Sequence, residues 1–242
     1  MIRIAATADV HFGLDSAGTL RPSLEDLDAD VFLIAGDLTR IGEPDEARVL
    51  ADELDGLSVP TITVLGNHDF ESDRTPEIRT VLERAGIAVL ENASETIEVR
   101  GTRVGVIGVK GFGGGFFGAC GSDFGEPEMK AFIRHTQKTS DRLRELLALS
   151  DADVKVALLH YSPVEATLQG ERLEIYPFLG SYLLAEAVDA AGVDIVLHGH
   201  AHNGTEKGVT PGGVPVRNVS QFVTRRPYSV YVIETADKGV RV

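Results

Sequence analysis

The chain has 242 residues, 43% hydrophobic and 25% charged, the mixture of a globular protein large enough to bury roughly 70–75% of the surface its unfolded chain exposes. Acids outnumber bases 37 to 23, a formal net charge of −14, which argues against nucleic acid as partner, because non-specific binding to DNA or RNA relies on Lys and Arg neutralising phosphates. The single Cys120 excludes an internal disulfide, no run reaches the roughly 20 apolar residues of a membrane span, and the start MIRIAATADVHF lacks the pattern of a secretion signal, so a cytoplasmic chain with no membrane association is expected.

In chain order, the first predicted strand, residues 3–7, runs into ATADVH, where Asp9 and His11 stand two apart and on extended backbone point the same way. The second, 31–35, ends in FLIAGDLTR, with Asp37 just after a glycine that lets the chain turn. Ala47, Leu50, Ala51 and Leu54 then recur at helical spacing. The third strand, 61–65, runs into TVLGNHD and sets Asn67, His68 and Asp69 past its end; Ile78, Val81, Leu82 and Ala85 mark another helix. After a fourth strand at 103–109 comes GFGGGFFGACGSDFG, residues 111–125. Its seven glycines and four phenylalanines exclude a stable helix or central strand. A mobile loop leaving the sheet edge is expected, either a plain surface connection or a lid whose Phe112, Phe116 and Phe117 cover a ligand. No Gly-Lys-Ser/Thr follows, so it is not a phosphate-cradling loop.

Leu143, Leu146 and Leu147 mark a third helix, and His135 reads as a helix-surface residue. Strand 154–159 ends in VALLHYSP at His160, and Tyr161, Arg172 and Tyr176 follow it in a connection that either reaches a substrate or is simply solvated. Leu183, Leu184, Ala187 and Val188 form a fourth helix before strand 193–197 and DIVLHGHAH, where His200 and His202 again stand two apart. Gly199 separates them from His198, which is given a structural or supporting role; Asn203 either touches the ligand or caps a turn. Residues 214–219, 229–233 and 239–242 read as consecutive antiparallel strands. Strands alternating with helices give an α/β class, a mixed sheet or two packed sheets with helices outside. No repeat or low-complexity linker divides residues 1–242, so a single domain is expected.

Each strand-end cluster is a weak signal by itself. Together, five strand ends finish in hard or borderline metal ligands, at the carboxyl ends where open α/β sheets bind ligands. In residue type and order, Asp-x-His, Gly-Asp, Gly-Asn-His-Asp, a lone His and Gly-His-x-His, the set resembles the calcineurin-like metallophosphoesterase family from Asp9 to His202. The resemblance implies a four-layer αββα sandwich, two mixed β-sheets packed face to face and flanked by helices. It implies two metals: one on Asp9, His11 and His202, the other on Asn67, His160 and His200, with Asp37 bridging. It makes His68 a proton donor to the leaving oxygen or a stabiliser of the transition state, with Asp69 orienting or charging it.

Imidazole with carboxylate and amide oxygen suits two divalent transition-metal ions such as Mn, Fe or Zn. The expected chemistry is hydrolysis of a phosphodiester or phosphomonoester bond by a hydroxide between the metals, on a small phosphorylated or nucleotide substrate given the acidic charge. Two alternatives are a phosphoprotein phosphatase and a catalytically silent metal-binding scaffold.

Overall fold

The computed structural model describes residues 1–235, so the strand expected at 239–242 lies outside the described residues. The strands are β1 (Ile2–Thr7), β2 (Val31–Ala35), β3 (Thr61–Val64), β4 (Ala88–Val89), β5 (Ala93–Val99), β6 (Thr102–Val109), β7 (Gly115–Phe116), β8 (Ala119–Cys120), β9 (Val154–Leu159), β10 (Ile195–His198), β11 (Lys207–Val209), β12 (Pro215–Asn218) and β13 (Ser229–Ile233). The helices are α1 (Arg21–Leu24), α2 (Pro44–Leu54), α3 (Thr75–Arg84), α4 (Pro127–Leu149), α5 (Tyr176–Leu179), α6 (Tyr182–Asp189) and α7 (Gln221–Thr224). Among the described residues no helix is long and apolar enough to cross a membrane.

Two sheets carry the fold. The first has the order β13-β1-β2-β3-β4, parallel except for β13 against β1. The second has the order β11-β12-β10-β9-β6-β5, with a parallel interior and an antiparallel strand at each edge.

Side-chain alternation explains the layering. In β1 and β2, Ile2, Ile4, Val31 and Leu33 point between the sheets, where they meet Val154, Val156, Leu158 and Leu197 of β9 and β10. The intervening Ala5, Phe32 and Ile34 face outward onto Leu50 and Leu54 of α2 and Ile78 and Leu82 of α3. Ala157, Leu159 and Val196 face the other way, onto Leu143 and Leu147 of α4 and Leu184 and Val188 of α6. Strands covered on both faces need apolar residues at every position, hence their near-continuous hydrophobic runs. The result is helix, sheet, sheet, helix, the sandwich expected from the sequence. Helix α2 starts where Glu43 and Glu46 close a reciprocal capping box on either side of Pro44, which satisfies donors that otherwise have no partner.

Two expectations need correction, and one strand was not expected at all. Residues 214–219 and 229–233 are not neighbours: β12 lies beside β10 in the second sheet, and β13 crosses to the first sheet and pairs with β1. Strand β5 went unread; its turn to β6 places Arg100 and Gly101 at φ 49° and 79°, the left-handed pair of a tight hairpin. The glycine-rich segment does not leave a sheet edge, because β6 is paired on both sides. Nor is it a loose lid carrying three aromatic rings. Gly114 N donates to the Pro177 carbonyl at 2.7 Å and Gly115 N to that of Gly180 at 2.9 Å. Phe116 is buried with Leu168, Leu179 and Ala201, and Phe112 packs on Phe132 and His135. Of the three rings only that of Phe117 is left exposed, at 69%.

Candidate metal centre

Asp9 and His11 follow β1, Asp37 follows β2, Asn67 follows β3, His160 follows β9, and His200 and His202 follow β10. All are carboxyl ends of parallel strands, three from the first sheet and two from the second. The backbone there is unusual. Asp9, His11, Asp37 and His200 have φ of 56°, 44°, 52° and 69°, a left-handed conformation that side chains other than glycine adopt at a cost and that concentrates at functional sites. The loops after β1 and β2 hold one another in it: Asp9 N donates to the Gly36 carbonyl at 3.0 Å and His11 N to that of Asp37 at 3.1 Å. The motif glycines have a steric reason as well. A Cβ on Gly66 would overlap Asp37 Oδ1, and one on Gly36 would lie 2.6 Å from His160 Nδ1.

The side chains form two groups. Donor atoms of Asp9, His11, Asp37 and His202 lie within 4.8 Å of one another, as do those of Asp37, His160 and His200; Asp37 belongs to both. Asn67 joins the second group, its Oδ1 2.9 Å from His160 Nε2. His11 Nε2 and His202 Nε2 face each other at 3.5 Å, and His160 Nε2 is 3.3 Å from Asp37 Oδ1. Carbonyls fix which nitrogen is available. His160 donates from Nδ1 to the Ala35 carbonyl at 2.9 Å, which leaves Nε2 for a ligand, whereas His200 donates from Nε2 to the Phe178 carbonyl at 3.2 Å, which leaves Nδ1. Such outer hydrogen bonds set the tautomer of metal-binding imidazoles.

Burial pulls His200 down to about 3 and lowers His11 despite the charge of Asp37, so both rings are neutral, the form that binds a metal. Burial also opposes charge on His202, but its hydrogen bond to Asp9 and the charges of Asp9, Asp37 and Glu171 together outweigh this and raise it. Asp9 is the mirror case: burial disfavours its charge, yet His202 and His160 hold its carboxyl well below the usual range. Imidazole nitrogen, carboxylate and amide oxygen gathered in two groups around a shared carboxylate is a donor set that fits two divalent transition-metal ions.

The neighbours divide into mouth and support. His68 is half-buried; its Nδ1 donates to the Arg40 carbonyl at 2.8 Å and its backbone N to Asp37 Oδ1 at 2.9 Å. The expected pairing of Asp69 with His68 is corrected: Asp69 turns inward and accepts from Leu38 N, Thr39 N, Thr39 Oγ1 and Gly66 N. It ties the loops after β2 and β3, while the Arg40 carbonyl orients His68. Burial, reinforced by Asp37, pushes Asp69 up to about 6. His198 is buried and bonded to Thr167 Oγ1 and the Gly199 carbonyl, outside both donor groups. His135 is exposed on α4. Tyr161 lies buried 4.3 Å from the His200 ring, Tyr176 donates to the Leu168 carbonyl, Asn203 donates to Glu171, and Arg172 is exposed.

Two residues near the site were not picked out from the sequence. Phe222 stacks on His202 at 4.3 Å, and no spacing announces it. Lys110 follows β6, and a charge closing the run VGVIGVK was the available signal.

The family model described as calcineurin-like phosphoesterase matches residues 2–204. No curated protein matches the chain. Among solved structures, a phosphopantetheinyl hydrolase (PptH) from Mycobacterium tuberculosis is similar with a TM-score of 0.70 at 18% identity over 96% of each chain. TT1561 of Thermus thermophilus is similar with a TM-score of 0.62 at 19% identity, covering 96% of this chain and 99% of its own. GAP50, the anchor in the inner membrane complex of Plasmodium, reaches 0.57 at 14% identity, over 91% of this chain and 72% of its own. At these identities the likeness shows a shared fold.

Proposed function

The chain belongs to the calcineurin-like phosphoesterase family, and from that premise we propose that it is a metal-dependent phosphoester hydrolase acting on a small phosphorylated or nucleotide substrate. The observation that carries the reading is the place of Asp37 in both donor groups. Asp9, His11 and His202 would hold one divalent ion, Asn67, His160 and His200 the other, and Asp37 both. Two such ions, when bound, lower the pKa of a water and draw charge from phosphoryl oxygens.

The chain's own groups then have distinct tasks. Asp9 and Asp37 offset only part of the ionic charge, and the neutral Asn67 preserves the excess that attracts a phosphate. His68 stands half-exposed beside them. The Arg40 carbonyl accepts from Nδ1 whether the ring is neutral or protonated, so Nε2 is the nitrogen whose proton passes to the leaving oxygen. Acid help of this kind typically contributes 10²–10⁴-fold. The acidic net charge of −14 favours a small ester over a long duplex.

The test is turnover of bis-p-nitrophenyl phosphate and p-nitrophenyl phosphate by purified protein with Mn²⁺, with bound metal measured in parallel. Chelator-sensitive hydrolysis of at least one ester is expected. Asp37→Ala should lose at least one metal and more than about 100-fold in rate, since even the outer partners of metal ligands cost 10–100-fold. Full metal occupancy with no turnover on either ester sinks the reading and leaves the silent scaffold.

A further inference from the structure

Lys110 is fastened to the metal-ligand segment. Its carbonyl accepts from the backbone N of His160 at 2.9 Å and of Tyr161 at 3.0 Å. Its ammonium has no hydrogen bond or ion pair among the described residues; it lies over the Phe70 ring at 4.0 Å, with the Phe112 and Tyr161 rings at 5.8 and 6.0 Å. Asp37, Asp69 and Glu91 all act on its charge, but each is engaged elsewhere. Asp37 serves both donor groups, Asp69 is occupied by loop N–H groups, and Glu91 faces Arg79 at 3.5 Å. Ring faces alone do not offset the dehydration of an ammonium. Divalent ions held by Asp37 would offset that carboxylate further, and an anion is the group that best complements the ammonium.

Lys110 lines a cavity of about 130 Å³ in which Phe70 and Leu90 form an apolar wall and Asn92, His135 and Thr139 are polar; Glu91 lies on its rim, its carboxylate turned to Arg79. The volume takes a phosphate-sized group, since one water occupies about 30 Å³ of liquid. His135 also lines an adjoining open groove with Lys130 and Lys138. On a chain of net charge −14, the cations Lys110, Lys130 and Lys138 around a neutral His135 are a local reversal of sign.

We infer that this cavity is a second anion subsite, which seats a phosphate on the part of the substrate that is not hydrolysed, between Lys110 and His135. Thr139 and Asn92 supply neutral hydrogen-bond donors, and the chain selects substrates that carry two separated anionic groups. The inference rests on the phosphoesterase reading and names its substrate class.

Calorimetric titration of the Mn²⁺-loaded full chain with adenosine 3′,5′-bisphosphate and with adenosine 5′-monophosphate tests it. The bisphosphate should bind at least about tenfold tighter, the scale of one charge-assisted hydrogen bond. Lys110→Met should abolish most of that ratio, Lys110→Arg should restore it, and His135→Gln, a change at an exposed position, should reduce it. A wild-type ratio near one overturns the subsite. So does an equal weakening of both ligands by Lys110→Met, which would place Lys110 at the scissile phosphate. Hydrolysis of bis-p-nitrophenyl phosphate, followed in parallel, separates the two readings. Preference without turnover removes the phosphoesterase and keeps the subsite; turnover without preference does the reverse.

Discussion

Gly66 lacks a side chain because Asp37 fills the space one would need. Gly66→Ala should therefore displace the shared carboxylate and lower metal occupancy and turnover by tenfold or more, roughly the loss expected when a ligand's support is disturbed. Gly56→Ala is the matched control: its φ of 84° strains an alanine, but nothing lies within 4 Å. It should cost about 1 kcal/mol of stability and leave metal content as it was, both measurable by melting and elemental analysis. His198 supplies a pH signature. Burial holds its ring at about 4, below the ordinary 6.5, so it is neutral in the fold and takes up a proton more readily when unfolded. The sign follows: its contribution is present above pH 6.5 and is lost as pH falls towards 4, by up to about 3 kcal/mol at 1.36 kcal/mol per pKa unit. In chelated protein His198→Gln should flatten the fall in Tm between pH 7 and 5; parallel curves would refute the assignment. The seven candidate donors could be picked out because strand ends close in metal-binding chemistry, and the fold brings them together. Asp69 was misread because adjacency to His68 in sequence is not adjacency in space: the 3-10 turn His68–Phe70 sends the carboxylate inward. Phe222 was illegible because its partner His202 belongs to a different loop.

At the scale of elements, strands covered on both faces could be read directly, since their apolar runs are nearly unbroken. β5 could not, because its ASETIEV mixes glutamates into an edge strand with mostly exposed side chains. Partner choice was the other gap, since a strand pattern records which face is buried but not which neighbour it meets. The glycine-rich segment shows composition and tertiary contact in competition. Its glycines disfavour regular structure, yet Phe116, 3% exposed, anchors a satellite cluster with Leu168 and Leu179. Phe116→Ala should cost about 3–5 kcal/mol, whereas Phe117→Ala, on the surface, should change stability by less than about 0.5 kcal/mol. Chemical denaturation of the two variants checks this. Equal, negligible losses would return the segment to the role of a loose flap.

For the whole molecule, the decisive feature is that the donors come from both sheets. Asp9, His11, Asp37 and Asn67 belong to the first, His160, His200 and His202 to the second, so ions held there would clamp one sheet to the other. An ion that binds only the folded chain stabilises it by about 2.7 kcal/mol at 100 times its Kd. Mn²⁺ should thus raise Tm by roughly 5–10 °C for a chain of this length, an effect that a chelator reverses and that Asp37→Ala diminishes in a thermal scan. Connectivity adds a constraint in time. β1 leaves the ribosome before the other described strands, but its outer side stays open until β13 arrives, well over 200 residues later. An unfinished edge of that kind is a template for mispairing between nascent chains. Vectorial synthesis therefore leaves the first sheet and the proposed ion clamp incomplete until β10 to β13 have emerged, and termination before β13 would release an aggregation-prone fragment.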